Sequence, residues 1–361
     1  MTRRLVVDLA SPRVAWRVPP PAVAAIRRAL ESGERGGWQV VEVAAPAPSD
    51  GDGGSGSPES VAAARGAEIY LGYGVPAAVV TAARPTLRWA HSGTAGVGSS
   101  LPHLRGTGIV LTNSAGVHAE PIADWVLAAV AYFARGLDLM IDAQRAGRWL
   151  KDEFADLRHP VAELRDLRVG VLGLGGGRAR GVLGAGETAS GIGSAVARRA
   201  LALGMPVAGV RRHPERGALP GVRWVGGPAD LPRLAAESDV LVIAAPHTAD
   251  TIGAVGRAVL DRLPQGAIVV NASRGSLLDE DALLELLDRG RLRGAALDVF
   301  ATEPLPPGHA FWRHPRVLVS PHVSAVTARF WERETGLIVE NIRRYLAGTP
   351  LMNVVDVEAG Y

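Results

Sequence analysis

Short apolar runs alternate along this chain with helical-period stretches and clusters of turn residues. Residues 5–9 form a strand candidate, 21–30 follow at helical spacing, and 38–43 are apolar and extended. Residues 68–71 and 87–91 are again strand-like, each followed by turn residues. Strands alternating with helices predict a small parallel α/β domain. Residues 44–58 carry Pro, Gly, Ser and Asp without periodicity and read as a surface loop. From Glu120 the period changes. Ile122, Val126, Ala129, Val130, Phe133, Leu137 and Met140 fall on one face, which predicts one helix running past about twenty residues, long enough to bridge two domains.

After Leu167 a second set of strands begins, at residues 169–172, 207–210, 240–244, 268–270, 295–299 and 317–319. Six strands with intervening helices match the count of a dinucleotide-binding fold. The last helix, residues 325–346, is expected to return to the first domain. The predicted architecture is therefore α/β, with a Rossmann-type doubly wound parallel sheet inserted into a smaller flavodoxin-like α/β domain. Residues 120–323 would bind the dinucleotide, and residues 1–119 with 324–361 would form the substrate (catalytic) domain.

Composition narrows the class. A length of 361 residues with 47% apolar positions suits two domains with real cores. No apolar run is long enough to cross a bilayer, and the start of the chain reads as a strand broken by Asp8 rather than a leader. With no cysteine, neither a disulfide framework nor a thiolate metal site is expected, and a soluble cytoplasmic protein is the plain expectation. The pI of 9.6 reflects arginine, because Lys151 is the sole lysine and the net charge is only +3. The arginines form no block, so a nucleic-acid partner is not expected.

Three pieces near the C-terminus carry candidate chemistry: Asn271-Ala-Ser-Arg274-Gly275, Asp298-Val-Phe-Ala-Thr-Glu303-Pro304, and Ser320-Pro321-His322. Each follows an apolar strand-like run, and in a parallel sheet such residues collect at the carboxyl edge, where ligands bind. The planar fork of Arg274 can hold a carboxylate bidentately and polarise a neighbouring carbonyl. Glu303 would orient His322 and favour its charged form, and His322 would exchange a proton with a substrate oxygen. His309 and His314 read as solvated, while His118 and His247 lie in loops that could face a cleft. No spacing suggests a metal site.

Upstream, Val169-Gly-Val-Leu-Gly173-Leu-Gly175-Gly176 opens as a phosphate-binding turn. The expected third glycine comes only at Ile192-Gly193, after the fifteen-residue stretch 177–191. Within that stretch Gly181-Val-Leu-Gly184-Ala-Gly186 echoes Gly170-Val-Leu-Gly173-Leu-Gly175. Two registers are possible. Either the strand ends at Leu172 and the extra residues bulge from the turn, or Gly184-x-Gly186-x-x-Ala189 is the working turn; the first has the better strand and helix. The bland reading is a loop that binds nothing. At the second strand's end stand Arg211 and Arg212, where an NAD site usually carries an acidic residue. Two arginines suit a 2′-phosphate, so NADP is favoured and NAD stays open, as do two merely solvated arginines.

These pieces, with Ser92-Gly-Thr-Ala-Gly96-Val97 and Thr112-Asn-Ser-Ala-Gly116-Val, resemble the D-isomer-specific 2-hydroxyacid dehydrogenase family over nearly the whole chain. The resemblance implies that Arg274, Glu303 and His322 are the catalytic triad. It implies that the amides around Gly96 and Val97 bind the substrate carboxylate together with Arg274. Asp298 would lie near the nicotinamide carboxamide, with Ala245, Pro246, Thr251, Ala272, Arg274 and His322 lining the cofactor beside the glycine turn. A homodimer is also implied. The expected activity is reduction of a small 2-oxo acid, such as glyoxylate or hydroxypyruvate, to the D-2-hydroxy acid with NADPH. The alternative is a catalytically weak, cofactor-sensing binding protein with a disrupted glycine loop.

Overall fold

The computed structural model describes residues 2–31, 37–44, 56–175, 191–217, 219–358 and 360. They form two compact units, one from the described residues of 2–118 and 326–360 and one from those of 119–175 and 191–325.

The first unit holds a five-stranded parallel sheet: β1 (Arg3–Asp8), β2 (Trp38–Glu42), β3 (Ile69–Gly72), β4 (Trp89–Ser92) and β5 (Val110–Asn113), in the order β2-β1-β3-β4-β5. That is the flavodoxin-like order. Successive residues point to opposite faces. Leu5, Val7, Ile69, Leu71 and Trp89 enter one core, while Val6, Tyr70 and Ala90 enter the other. Strand β5 escapes apolar-run reasoning because Thr112 and Asn113 are polar; the buried Thr112 hydroxyl is satisfied by Trp89 Nε1 and His91 Nδ1, both at 2.8 Å.

The second unit carries seven parallel strands: β6 (Val169–Leu172), β7 (Val207–Val210), β8 (Val225–Gly226), β9 (Val240–Ile243), β10 (Ala267–Asn271), β11 (Leu292–Leu297) and β12 (Val317–Val319). Their order is β12-β11-β10-β9-β6-β7-β8, a doubly wound sheet with its switch point between β6 and β9. Helices cover both faces, so Val240 and Val242 pack into one core and Leu241 and Ile243 into the other. The two-residue β8, at the edge, is a seventh strand that the sequence pattern did not suggest.

The long helix expected from Glu120 is two helices, Ala119–Ala134 and Leu137–Arg145. Gly136 separates them in the left-handed region at φ +68°. Beyond it the buried residues are Asp138 and Ala143; Asp138 is bound by both terminal nitrogens of Arg293 at 2.7 and 2.6 Å, whereas Leu137 and Met140 are 41% and 42% exposed. A buried ion pair has displaced the apolar stripe. The C-terminal helix begins later than its pattern suggested, at Phe330–Ala347. Among the described residues no helix is long and apolar enough to cross a membrane.

Candidate active site

Strand register brings the candidates together. Val210, Leu172, Ile243, Asn271, Leu297 and Val319 are aligned across the second sheet, from β7 through β6, β9, β10 and β11 to β12. The next residues, Arg211, Gly173, Ala244, Ala272, Asp298 and Ser320, therefore all leave from one carboxyl edge. Neighbouring strands are about 4.8 Å apart, so the segments carrying Arg274 and His322 start about 10 Å from each other.

At the β6 end, Gly173 takes φ +92°, and an added Cβ would lie 2.4 Å from the Ala245 nitrogen. Gly193 packs as closely; a Cβ there would fall 2.3 Å from the Gly173 oxygen. Ser194 Oγ donates to the Gly175 oxygen at 2.6 Å, and a Cβ on Gly175 would come within 3.6 Å of the Gly191 α-carbon. The strand Val169–Leu172 thus leads through Gly173 and Gly175 toward the helix Ile192–Ala202, the first of the two registers. Among the described residues no side chain caps the N-terminus of that helix, so the amides of its first turn suit a pyrophosphate. Gly176, with Gly184, Gly186 and Ala189 of the other register, lies outside the described residues.

The two arginines after β7 differ. Arg211 is 9% exposed and donates from Nη1 to the Gly217 oxygen at 2.9 Å, folding back on its own turn. Arg212 is half-exposed, with Asp250 at 3.5 Å. Across the edge, Thr251 Oγ1 donates to the Pro246 oxygen at 2.6 Å and accepts the Thr248 amide at 2.8 Å, closing that loop on itself. Ser273 Oγ donates to the Ala245 oxygen, and Ala272 is buried beneath.

Arg274 is exposed just beyond β10, in a turn shaped by Asn271, whose side chain accepts the Ser273 amide and donates to the Arg274 oxygen, both at 3.1 Å. Gly275 follows because nothing larger fits: a Cβ would lie 1.8 Å from the Phe300 carbonyl carbon. The arginine turn is therefore pressed against the segment that carries Glu303. There, Glu303 Oε1 accepts the Phe300 amide at 2.9 Å, and Oε2 meets His322 Nδ1 at 2.8 Å. Burial alone would push the Glu303 carboxyl up; the bonds from His322 and the Phe300 amide, with the charges of His322 and Arg274, hold it below its usual range. With Nδ1 engaged, His322 presents Nε2 as its proton-exchanging nitrogen.

His322 adopts φ +54°, uncommon for a residue with a side chain. Asp298 holds it there. Its backbone oxygen accepts the His322 amide at 2.8 Å. Its carboxylate accepts Ser320 Oγ at 2.6 Å, the Val323 amide at 2.9 Å, the Ser324 amide at 3.1 Å, and Ser324 Oγ. Asp298 is 1% exposed. Its carboxylate is engaged with the histidine turn, where four donors from one loop converge on it. Ser324 escaped notice and Ser320, though part of the Ser320-Pro321-His322 piece, was given no role, since nothing in the sequence ties these small polar residues to an aspartate more than twenty positions away.

The other expected residues have surroundings of their own. Gly96 and Val97 sit in the first unit after β4, where Thr94 Oγ1 donates to the Gly96 oxygen at 2.6 Å and Val97 is buried. His118 belongs to an aromatic cluster of that unit, stacked 5.2 Å from Phe330 and edge-on to Trp16. His314 is not solvated: its side chain is 10% exposed, 3.3 Å from Asp288, and accepts the Arg316 amide at 3.1 Å. His309 accepts the Phe311 amide at 3.3 Å and packs on its ring. Among the described residues no cluster of three or more His, Asp or Glu is arranged to hold a metal.

Known proteins resemble this chain in sequence and in fold. Glyoxylate/hydroxypyruvate reductase A of Salmonella newport is 40% identical over 146 residues, which are 40% of this chain and 46% of that protein, so the match spans under half of its length. A D-isomer specific 2-hydroxyacid dehydrogenase from Xanthobacter autotrophicus, solved with NADPH and MES, superposes over 100% of this chain and 99% of its own at TM-score 0.74 and 29% identity. An NADPH-dependent glyoxylate/hydroxypyruvate reductase from Sinorhizobium meliloti, solved with NADP and sulfate, covers all of both chains at TM-score 0.71 and 27% identity. The family model described as D-isomer specific 2-hydroxyacid dehydrogenase, NAD binding domain, matches residues 127–324, more than half of the chain. With the doubly wound sheet and the Glu303–His322 pair at its carboxyl edge, this chain belongs to the D-isomer specific 2-hydroxyacid dehydrogenase family.

Proposed function

We propose that this protein reduces a small 2-oxo acid, of the glyoxylate or hydroxypyruvate kind, to the D-2-hydroxy acid with NADPH. The observation that carries the reading is the Glu303–His322 hydrogen bond, beside an exposed Arg274 on the same sheet edge. Relatives named as glyoxylate/hydroxypyruvate reductases, one of them solved with NADP, support it. The glycines fit the cofactor. Gly173 and Gly193 leave no room for a side chain, and the helix at Ile192 offers first-turn amides, uncapped among the described residues, to a pyrophosphate. Arg212 suits the 2′-phosphate better than Arg211, because an exposed pair with Asp250 is weak and exchanged at little cost. Ala245, Pro246, Thr251 and Ala272 would line the dinucleotide.

Bound NADPH supplies the hydride. Arg274 grips the substrate carboxylate and polarises the carbonyl, aided by the backbone around Gly96 and Val97. His322 Nε2 gives a proton to the carbonyl oxygen as the carbon is reduced, and Glu303 stabilises the imidazolium beforehand. In the reverse direction His322 takes that proton back. Residues 120–323 would hold the cofactor and residues 1–119 with 324–361 the oxo acid. The reading includes a cytoplasmic homodimer that acts on small molecules and not on nucleic acid or membrane.

Mixing the protein with NADPH and a panel of 2-oxo acids tests this: absorbance should fall with glyoxylate or hydroxypyruvate, and faster turnover with NADH would reverse only the cofactor preference. His322→Asn should lower kcat about 10²- to 10⁴-fold while NADPH still binds. No turnover of any oxo acid at any pH would reject the assignment.

A further inference from the structure

Two adjacent amides in the glutamate turn are held by two different carboxylates. Phe300 N–H donates to Glu303 Oε1 at 2.9 Å, and Ala301 N–H donates to Glu280 Oε1 at 2.7 Å. Glu280 is the first residue of the helix Glu280–Asp288, whose N-cap Asp279 accepts the Ala282 amide at 2.9 Å. A carboxylate in a first helical turn is favoured by the helix dipole. Here the capping work is done by Asp279, and Glu280 reaches across to a segment 21 residues away.

We propose that Glu280 is a positioning residue for the Glu303–His322 pair, a role that rests on the reductase reading above. The Ala301 N–H lies in the Phe300–Ala301 peptide, so its bond to Glu280 sets the plane of that peptide. The same peptide is the one that Gly275 touches, immediately after Arg274. Glu280 thereby fixes the arginine turn and the glutamate turn against each other. With the turn fixed, Glu303 keeps Oε1 on the Phe300 amide and Oε2 on His322 Nδ1. Both carboxylate oxygens of Glu303 are then committed, and the imidazole has a single orientation.

Glu280 is an awkward residue to retain for stability alone. Burial pushes its carboxyl above the ordinary range, and Asp281 and Glu303 add to that against the Ala301 amide and His309. The neutral, isosteric glutamine would relieve this and still offer an oxygen to Ala301. A residue kept for positioning should therefore tolerate glutamine and fail with a shorter side chain.

The experiment compares Glu280→Ala, Glu280→Gln and Glu280→Asp in the full chain, by steady-state kinetics with NADPH and glyoxylate, pH–rate profiles and thermal unfolding. Glu280→Ala should lose about 10- to 100-fold in kcat, as expected for a displaced catalytic group, with both KM values within about twofold of wild type. Its kcat/KM should depend on pH differently from wild type, because the Glu303–His322 pair is no longer held in one geometry. Glu280→Gln should keep kcat within about threefold and unfold no earlier than wild type. If Glu280→Ala does not fold, Glu280→Asp carries the test: it keeps the charge, is one methylene too short for Ala301, and should lose kcat while glutamine does not. Unchanged kcat and pH profile in the alanine or aspartate variant, a loss confined to KM, or a glutamine variant no better than the others would overturn the proposal. A wild-type protein that turns over no oxo acid would instead reject the reductase reading itself.

Discussion

Replacing Asp298 with asparagine keeps the size of the side chain and removes half of its accepting capacity. In the native protein four donors converge on this buried carboxylate: the Ser320 and Ser324 hydroxyls and the Val323 and Ser324 amides. The asparagine oxygen can serve about two of them, and its NH₂ group opposes a backbone amide as one donor against another or forces a serine hydroxyl to give up donating and turn round to accept. Hydrogen bonds to a charged group contribute about 1.5–3 kcal/mol each, so losing two destabilises the histidine turn locally by about 3–6 kcal/mol. His322 sits in that turn at φ +54°, a conformation that itself costs about 1–3 kcal/mol and persists only while its surroundings enforce it. Asp298→Asn should therefore let residues 320–324 open. Hydrogen exchange measured by mass spectrometry reads this directly: peptides spanning these residues should exchange at least about 100-fold faster, since each 1.4 kcal/mol is tenfold. At the same time kcat should drop while NADPH affinity stays near wild type. The reasoning fails if exchange at 320–324 is unchanged. It fails equally if the variant loses NADPH binding with kcat intact, which would return Asp298 to a direct role at the cofactor.

Three further outcomes are expected. The Glu303 carboxyl lies below its ordinary range in the folded protein, so its contribution to stability is present above the unfolded value of about 4.3 and fades as pH falls through the lower folded value; the difference in unfolding midpoint between wild type and Glu303→Gln, measured across acid pH, should shrink in that window, and a constant difference would contradict the ion pair. Arg212→Glu should raise KM for NADPH about tenfold or more and leave NADH nearly unaffected, because a repelling charge replaces a phosphate ligand; equal effects on both cofactors would reassign the 2′-phosphate site. Gly275→Ala must move the Phe300–Ala301 peptide to admit its methyl, which should destabilise the protein by about 1–3 kcal/mol and depress kcat, checked by denaturant unfolding and kinetics, whereas a variant indistinguishable from wild type would mean that the close approach is not needed.

Much of this protein could be read along the chain. Buried strands of a parallel sheet are continuous apolar runs, which is why Val169–Leu172 and Val207–Val210 were found to the residue, and the half-buried edge strand Val317–Val319 is apolar enough to be found as well. The order of Arg274, Glu303 and His322 after such runs was enough for the family, since parallel strands deliver their succeeding residues to one edge. The features hidden from the chain depend on partners remote in sequence. Arg293 lies 155 residues from Asp138, yet it is this pair that buries Asp138 and exposes Leu137 and Met140, ending the apolar stripe at Gly136. Nothing along the chain announces that Ser320, Val323 and Ser324 fold onto Asp298, or that the Arg211 guanidinium turns back to Gly217 while Arg212 stays exposed. Hydrophobic periodicity reports how much apolar surface a residue hides. Which donor meets which acceptor is settled only when distant segments share one sheet edge, and at this edge that pairing decides which side chains are left to do chemistry.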